Sequence, residues 1–219
     1  MSYVDDYDDY IDVSYDSVIE ELIEGISKDN MQSYLGTYGD AVEERINTCL
    51  SLAEKLYKLN YYGSSITVSV TAIEIIIRFM LLRPLIQGAF LSDEWAGILT
   101  DRIATGRTAK DKELLPSVVK QLGIDIITVK LRNGQKLWET LYGIVLEKRN
   151  NFVHKGDSVT DADALAGIEC AKTLMNEIVY PIAKKLGFTL DVTGKWSETS
   201  IKSANSSSES HYSPKSPFK

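Results

Sequence analysis

Between Ser64 and Arg83 the chain is apolar almost throughout, with Ile73, Ile75, Ile76, Ile77, Phe79, Met80, Leu81 and Leu82, and the stretch stops at Pro84. Ile66, Val68 and Val70 alternate with a period of two, which locally also suits a strand. The stretch is too long for a strand, however, and a proline ends helices at the residue before it, so it reads as a helix. A helix that is apolar nearly all round has no face to offer water, which makes it the centre of the fold. No unbroken apolar run reaches the roughly 18 residues that a membrane span needs.

The rest of the chain supplies partners for such a helix. Val42, Ile46, Cys49, Leu50, Ala53, Leu56 and Tyr57 recur at helical spacing behind Asp40 and Glu43, which read as a helix-start pair after a turn at Gly36–Gly39. Shorter helices are expected over Ser92–Ala104 and Thr108–Leu122, broken near Pro116, and a short one over 17–27. Ile124–Lys130 is a short strand or extended connector, and Arg132-Asn133-Gly134 is a turn. Gln135–Val153 and Thr160–Leu186 are two further helices, the second started by Thr160 with Asp161 and Asp163 and kinked near Pro181. The expected fold class is all-α, a helical bundle with flexible tails.

Both ends differ from this body. Residues 1–16 interleave Asp with Tyr3, Tyr7, Tyr10 and Tyr15, a self-repelling composition expected to be flexible. Residues 193–219 are Ser-rich and expected to be disordered, which leaves 17–192 as the helical domain. Residues 1–24 carry nine acids and no Lys or Arg; the remaining chain has 22 acids against 24 bases. The formal net charge of −7 therefore belongs to one end, and the body is close to neutral. Neither charge nor composition argues for nucleic acid. Two cysteines, Cys49 and Cys170, fall in helical patterns as buried thiols and give neither a disulfide framework nor zinc spacing. With an acidic N-terminus unlike a signal peptide, a cytoplasmic protein without a membrane role is expected.

The chemistry concentrates in Arg149-Asn150-Asn151-Phe152-Val153-His154, just before Lys155-Gly156. Trp138, Leu141, Tyr142, Val145, Phe152 and Val153 mark the buried stripe of that helix, and Arg149 falls on the same stripe. Arg is rarely buried unpaired, so Arg149 either forms an ion pair, with Glu74 as candidate partner, or lines a cleft and holds phosphate. His154 can move protons near neutral pH, or simply favour the helix C-terminus as imidazolium. Asn150 and His154 are four apart and share a face, whereas Arg149 and His154 stand roughly 140° apart on a regular helix. To act together they need a loosened helix end or a second chain. No Gly-rich phosphate loop, zinc motif or nucleophile elbow competes, so neither metal nor cofactor is expected.

An Arg-Asn-x-x-x-His motif that closes a bundle helix, followed by a turn and a long final helix, resembles the HEPN superfamily over roughly residues 37–190. The helix containing Ala72-Ile73-Glu74 resembles the one that carries an acidic residue in many members. The resemblance implies a metal-independent endoribonuclease of toxin or antiviral-defence type, working as a homodimer with two motifs in one cleft. By this resemblance Arg149, Asn150 and His154 are the catalytic set and Glu74 a supporting residue that orients Arg149. The RNA 2′-hydroxyl would attack the adjacent phosphate, with His154 as acid or base and Arg149 stabilising the phosphorane. The partners implied are RNA, a second copy and a regulatory protein. Some toxin members carry a Tyr two residues after the His, used in silencing; here that position is Gly156, so this control is not expected. The alternative is a non-catalytic HEPN-like module binding a nucleotide or a protein partner.

Overall fold

The computed structural model describes residues 33–84, 115–116, 119–120, 123–185, 187–190 and 195–198. The expectations for 1–16, for 17–27, for Ser92–Ala104 and for the tail beyond 198 lie outside these residues. What is described is predominantly helical. Four long helices, α1 (33–58), α2 (62–84), α3 (137–155) and α4 (161–185), are followed by a two-stranded antiparallel ribbon of β1 (Phe188–Leu190) and β2 (Trp196–Glu198).

The apolar stretch forms α2 as expected, and the strand alternative falls away. Ile66, Val70, Ile73, Ile76, Met80, Leu81 and Leu82 are all buried. By length and composition Tyr62–Leu82 is also apolar enough to cross a membrane, with a mean hydropathy of 1.9, because small and hydroxylated residues interrupt it without adding charge. Those residues have partners within the bundle. Ser69 hydrogen-bonds the carbonyl of Ser65, and Ser65 bonds that of Ala53 in α1 at 2.8 Å. A Cβ at Gly167 of α4 would stand 3.2 Å from Cβ of Ser69, so small residues on both helices let α2 and α4 approach closely.

The two helices run in parallel, their first halves packed together and their second halves likewise. α1 runs antiparallel to α4, with Glu54 paired to Lys172 and Glu43 to Tyr180. α3 runs antiparallel to α2, with Arg149 against Glu74 and Phe152 against Gly63.

Three helices contain a wider π turn: Ile76–Leu82 in α2, Leu141–Val145 in α3 and Leu174–Val179 in α4. Two of them lead into a proline. Arg83 N–H reaches back to Arg78 before Pro84, and Tyr180 N–H to Met175 before Pro181. The pyrrolidine ring lacks an N–H and crowds the carbonyl four residues back, and a five-residue hydrogen-bond step makes room for it. The expected break at Pro181 is therefore a π turn in an otherwise continuous helix.

Several boundaries need correction. Gly36–Gly39 is not a turn but part of α1, because these glycines admit aromatic rings from the C-terminal ribbon. Phe188 lies 3.7 Å from the Cβ position of Gly36, and Trp196 only 2.8 Å from that of Gly39. Asp40 and Glu43 accordingly lie within α1 and fasten distant elements: Asp40 accepts the backbone N–H of Trp196 at 2.7 Å, and Glu43 the hydroxyl of Tyr180 at 2.8 Å. The segment drawn as a tail from 193 contains the buried Trp196, so the ordered domain extends through Glu198. Ile124–Lys130 is a connector with one isolated bridge, Lys130 to Lys136, and the turn at Asn133-Gly134 holds Gly134 at φ +85°. Thr160 and Asp163 form a reciprocal capping box at the start of α4, as the sequence implied.

Candidate functional site

α3 begins on the core and then rises from it. Leu137, Thr140, Leu141 and Val145 are buried, but no residue of Leu146–Lys155 is. The π turn at Leu141–Val145 adds a residue to one helical turn and so rotates everything beyond it relative to an uninterrupted helix. The stripe read from the sequence continues only half-buried through Arg149 and Phe152, and Val153, expected inside, is 49% exposed. Trp138 and Tyr142 flank the core as a tilted ring pair with centroids 4.5 Å apart, and burial pushes the Tyr142 hydroxyl up to about 12.

Arg149 does meet Glu74, but loosely. Its Nη2 is 3.4 Å from Glu74 Oε1, and its Nη1 donates to Asn150 Oδ1 at 2.9 Å. Charge-assisted bonds are usually about 2.7–2.9 Å, so the ion pair is long while the contact with Asn150 is well formed. Nε of Arg149 is buried with no hydrogen-bond partner. The guanidinium is thus aimed and only partly satisfied, and Asn150 is turned toward it.

His154 stands at the other side of the helix end, exposed and without a hydrogen-bond partner among the described residues. α3 stays α-helical through Lys155 and is closed by Gly156 at φ +73°, whose N–H bonds the carbonyl of Phe152. A left-handed cap is where glycine carries no Cβ penalty. A regular helix removes one of the two routes by which Arg149 and His154 could converge. The roughly 140° between them stands within one chain. The structure thus brings together Arg149, Asn150 and Glu74, and leaves His154 apart.

The fixed point of this end is the contact between Phe152 and Gly63, where any side chain at 63 would collide with the ring. The Tyr-Tyr-Gly sequence at 61–63 was the available signal, a glycine at the start of a long apolar helix. A cavity of about 760 Å³ lies elsewhere, along the face of α1 from Asp40 to Lys55 with Lys195, and none of the four motif residues lines it. Glu43 does line it, and is 95% buried at a relative exposure of 5%. Burial raises its carboxyl above the usual range, outweighing the hydroxyl of Tyr180 and the nearby Trp196 and Asn47, which favour the charged form. Glu43 Oε2 and Trp196 Nε1 both lack a well-formed hydrogen bond. This cluster joins α1, α4 and the ribbon, and the sequence reading missed it by treating Glu43 as a capping residue.

Among the described residues no three His, Cys, Asp or Glu gather as metal ligands, and Cys49 and Cys170 are free thiols, Cys170 fully buried.

No family model matches the chain, and neither a curated protein nor a solved structure matches it.

Proposed function

We propose that the protein is a metal-independent endoribonuclease related to the HEPN superfamily, acting as a homodimer in the cytoplasm in a toxin or antiviral-defence role. The observation that carries this reading is the state of Arg149: held by Asn150, loosely paired with Glu74, and with a buried Nε that nothing satisfies. A phosphate would complete that fork as a bidentate acceptor. The nucleophile comes from the substrate, as the RNA 2′-hydroxyl attacks the neighbouring phosphorus and expels the 5′-oxygen. The products are a 2′,3′-cyclic phosphate and a 5′-hydroxyl.

His154 handles the protons, and Arg149 stabilises the charge that builds on the phosphorane. Because α3 is regular, the Arg149 that serves a given His154 belongs to the second copy, so the cleft is shared between protomers. Glu74 orients Arg149 and is set aside when phosphate arrives.

The Arg149–Glu74 pair also favours a second reading, a non-catalytic helical module that binds a nucleotide or a protein partner. Incubation of the purified protein with mixed RNA in EDTA, beside His154→Ala, separates the two. His154-dependent cleavage that leaves cyclic phosphate ends supports the nuclease; no such cleavage between pH 5 and 9 leaves the module. A monomer at micromolar concentration that still cleaves RNA would remove the shared cleft.

A further inference from the structure

The turn between α1 and α2 places an exposed aromatic surface beside the end of α3. Tyr61 is 61% exposed and Leu59 is 64% exposed, while Val153 presents a third apolar side chain from α3. The Phe152–Gly63 contact brings these elements together, with Tyr61 two residues before Gly63 and His154 two residues after Phe152.

The turn is held firmly. Asn60 adopts φ +62°, its N–H bonds the carbonyl of Tyr57, and its side chain accepts the Tyr62 hydroxyl at 2.7 Å. Tyr61 N–H bonds the carbonyl of Leu56, and the rings of Tyr57 and Tyr62 brace each other at 5.6 Å between centroids. An aromatic ring on such a backbone loses little freedom when something stacks on it.

The charges around the ring decide what that is. Lys58 and Lys155 are exposed at this end and pair with no acid among the described residues. Asp157, in the loop beyond, is the nearest carboxylate in sequence. The buried centre of a protein–protein interface is poor in lysine, whereas aromatic rings interleaved with lysines suit a nucleic acid strand.

We infer that single-stranded RNA stacks an unpaired base on Tyr61 while its backbone phosphates run past Lys58 and Lys155 toward His154. This deepens the ribonuclease reading and rests on it for the identity of the strand. Duplex RNA is a poor fit, because its bases already stack on one another.

The test uses the full chain carrying His154→Ala, so that the probe is not cut, and a fluorescein-labelled 12-nucleotide oligouridine followed by anisotropy. Tyr61→Ala weakens binding about tenfold or more and Tyr61→Phe restores it, since stacking needs the ring and not the hydroxyl. Lys58→Gln lowers the salt slope by about one phosphate contact. Ile127→Ala, an equally exposed apolar side chain elsewhere, changes nothing.

Equal binding by the Tyr61→Ala protein and its parent overturns the inference, as does a failure of the parent to bind. So does a changed oligomeric state with RNA affinity intact, which makes this surface an interface between copies. The two readings fail separately. Tyr61-dependent binding without His154-dependent cleavage keeps the surface and removes the nuclease. His154-dependent cleavage with a KM indifferent to Tyr61→Ala does the reverse.

Discussion

The ring of Phe152 fills the space that a side chain at Gly63 would need: a methyl group there would stand 2.2 Å from Cε2 of the ring. This contact fastens the free end of α3, which has no buried residue of its own, to the start of α2. Gly63→Ala is expected to push Phe152 aside and lower stability by about 1–3 kcal/mol through overpacking. Cleavage should fall further than stability does, because His154 is displaced with the ring. Thermal unfolding and an RNA assay well below the melting temperature check this, and full activity in a destabilised protein would refute it.

The long Arg149–Glu74 pair is partly exposed, 25% and 39% at the two side chains, and should add no more than about 1 kcal/mol to stability. Glu74→Gln is therefore expected to leave the denaturant midpoint nearly unchanged while tightening RNA binding, since a competing carboxylate is gone. Arg149→Lys should lose cleavage despite keeping its charge, because an ammonium cannot offer a two-pronged donor set. A stability loss of several kcal/mol in Glu74→Gln would mean that the pair is structural instead.

Glu43 makes the fold pH-dependent in a direction opposite to most carboxylates. Burial raises its folded-state pKa above the unfolded value, so its contribution is greatest below the unfolded pKa and is lost as pH rises through the folded one. Glu43→Gln keeps an acceptor for Tyr180 but cannot ionise. Measured by denaturation from pH 4 upward, the variant should gain on the wild type as pH climbs above the ordinary carboxylate range, then level off. A constant difference across that window would show that Glu43 does not titrate on unfolding.

Trp196 ties the ribbon to α1 through Gly39 and Asp40. Trp196→Ala should cost about 3 kcal/mol or more, in keeping with removal of a large buried aromatic. Ending the chain at residue 192 should cost at least as much, whereas ending it after residue 200 should be nearly silent. Chemical denaturation of the three chains reads this directly.

Most of the helical framework could be read from apolar spacing, and the Thr160–Asp163 box from its residues alone. The errors share one cause. Gly36 and Gly39 carry a turn signal in sequence, yet they mark places where Phe188 and Trp196 come close, and those partners are some 150 residues away. Glu43 looks like a cap for the same reason, since its partner Tyr180 is invisible to local spacing. Val153 was assigned to the core by counting along an α-helix that is not α throughout. At the candidate site the Arg149–Glu74 pairing was foreseeable from an unusual charge on an apolar stripe. The tyrosine-bearing turn beside it was not, because only the packing of Phe152 on Gly63 brings the two ends together.

The π turn at Leu141–Val145 makes the site sensitive to chain length as well as to side chains. Deleting one residue there, for instance Gly143, would let α3 close into ordinary α-helix and swing all that follows by about 100°. Arg149 would leave Glu74 and Phe152 would leave Gly63, with every motif residue still present. A shortened homologue could therefore keep the Arg-Asn-x-x-x-His letters and point them at nothing, so the spacing between Val145 and the core deserves as much weight as the letters when such chains are compared.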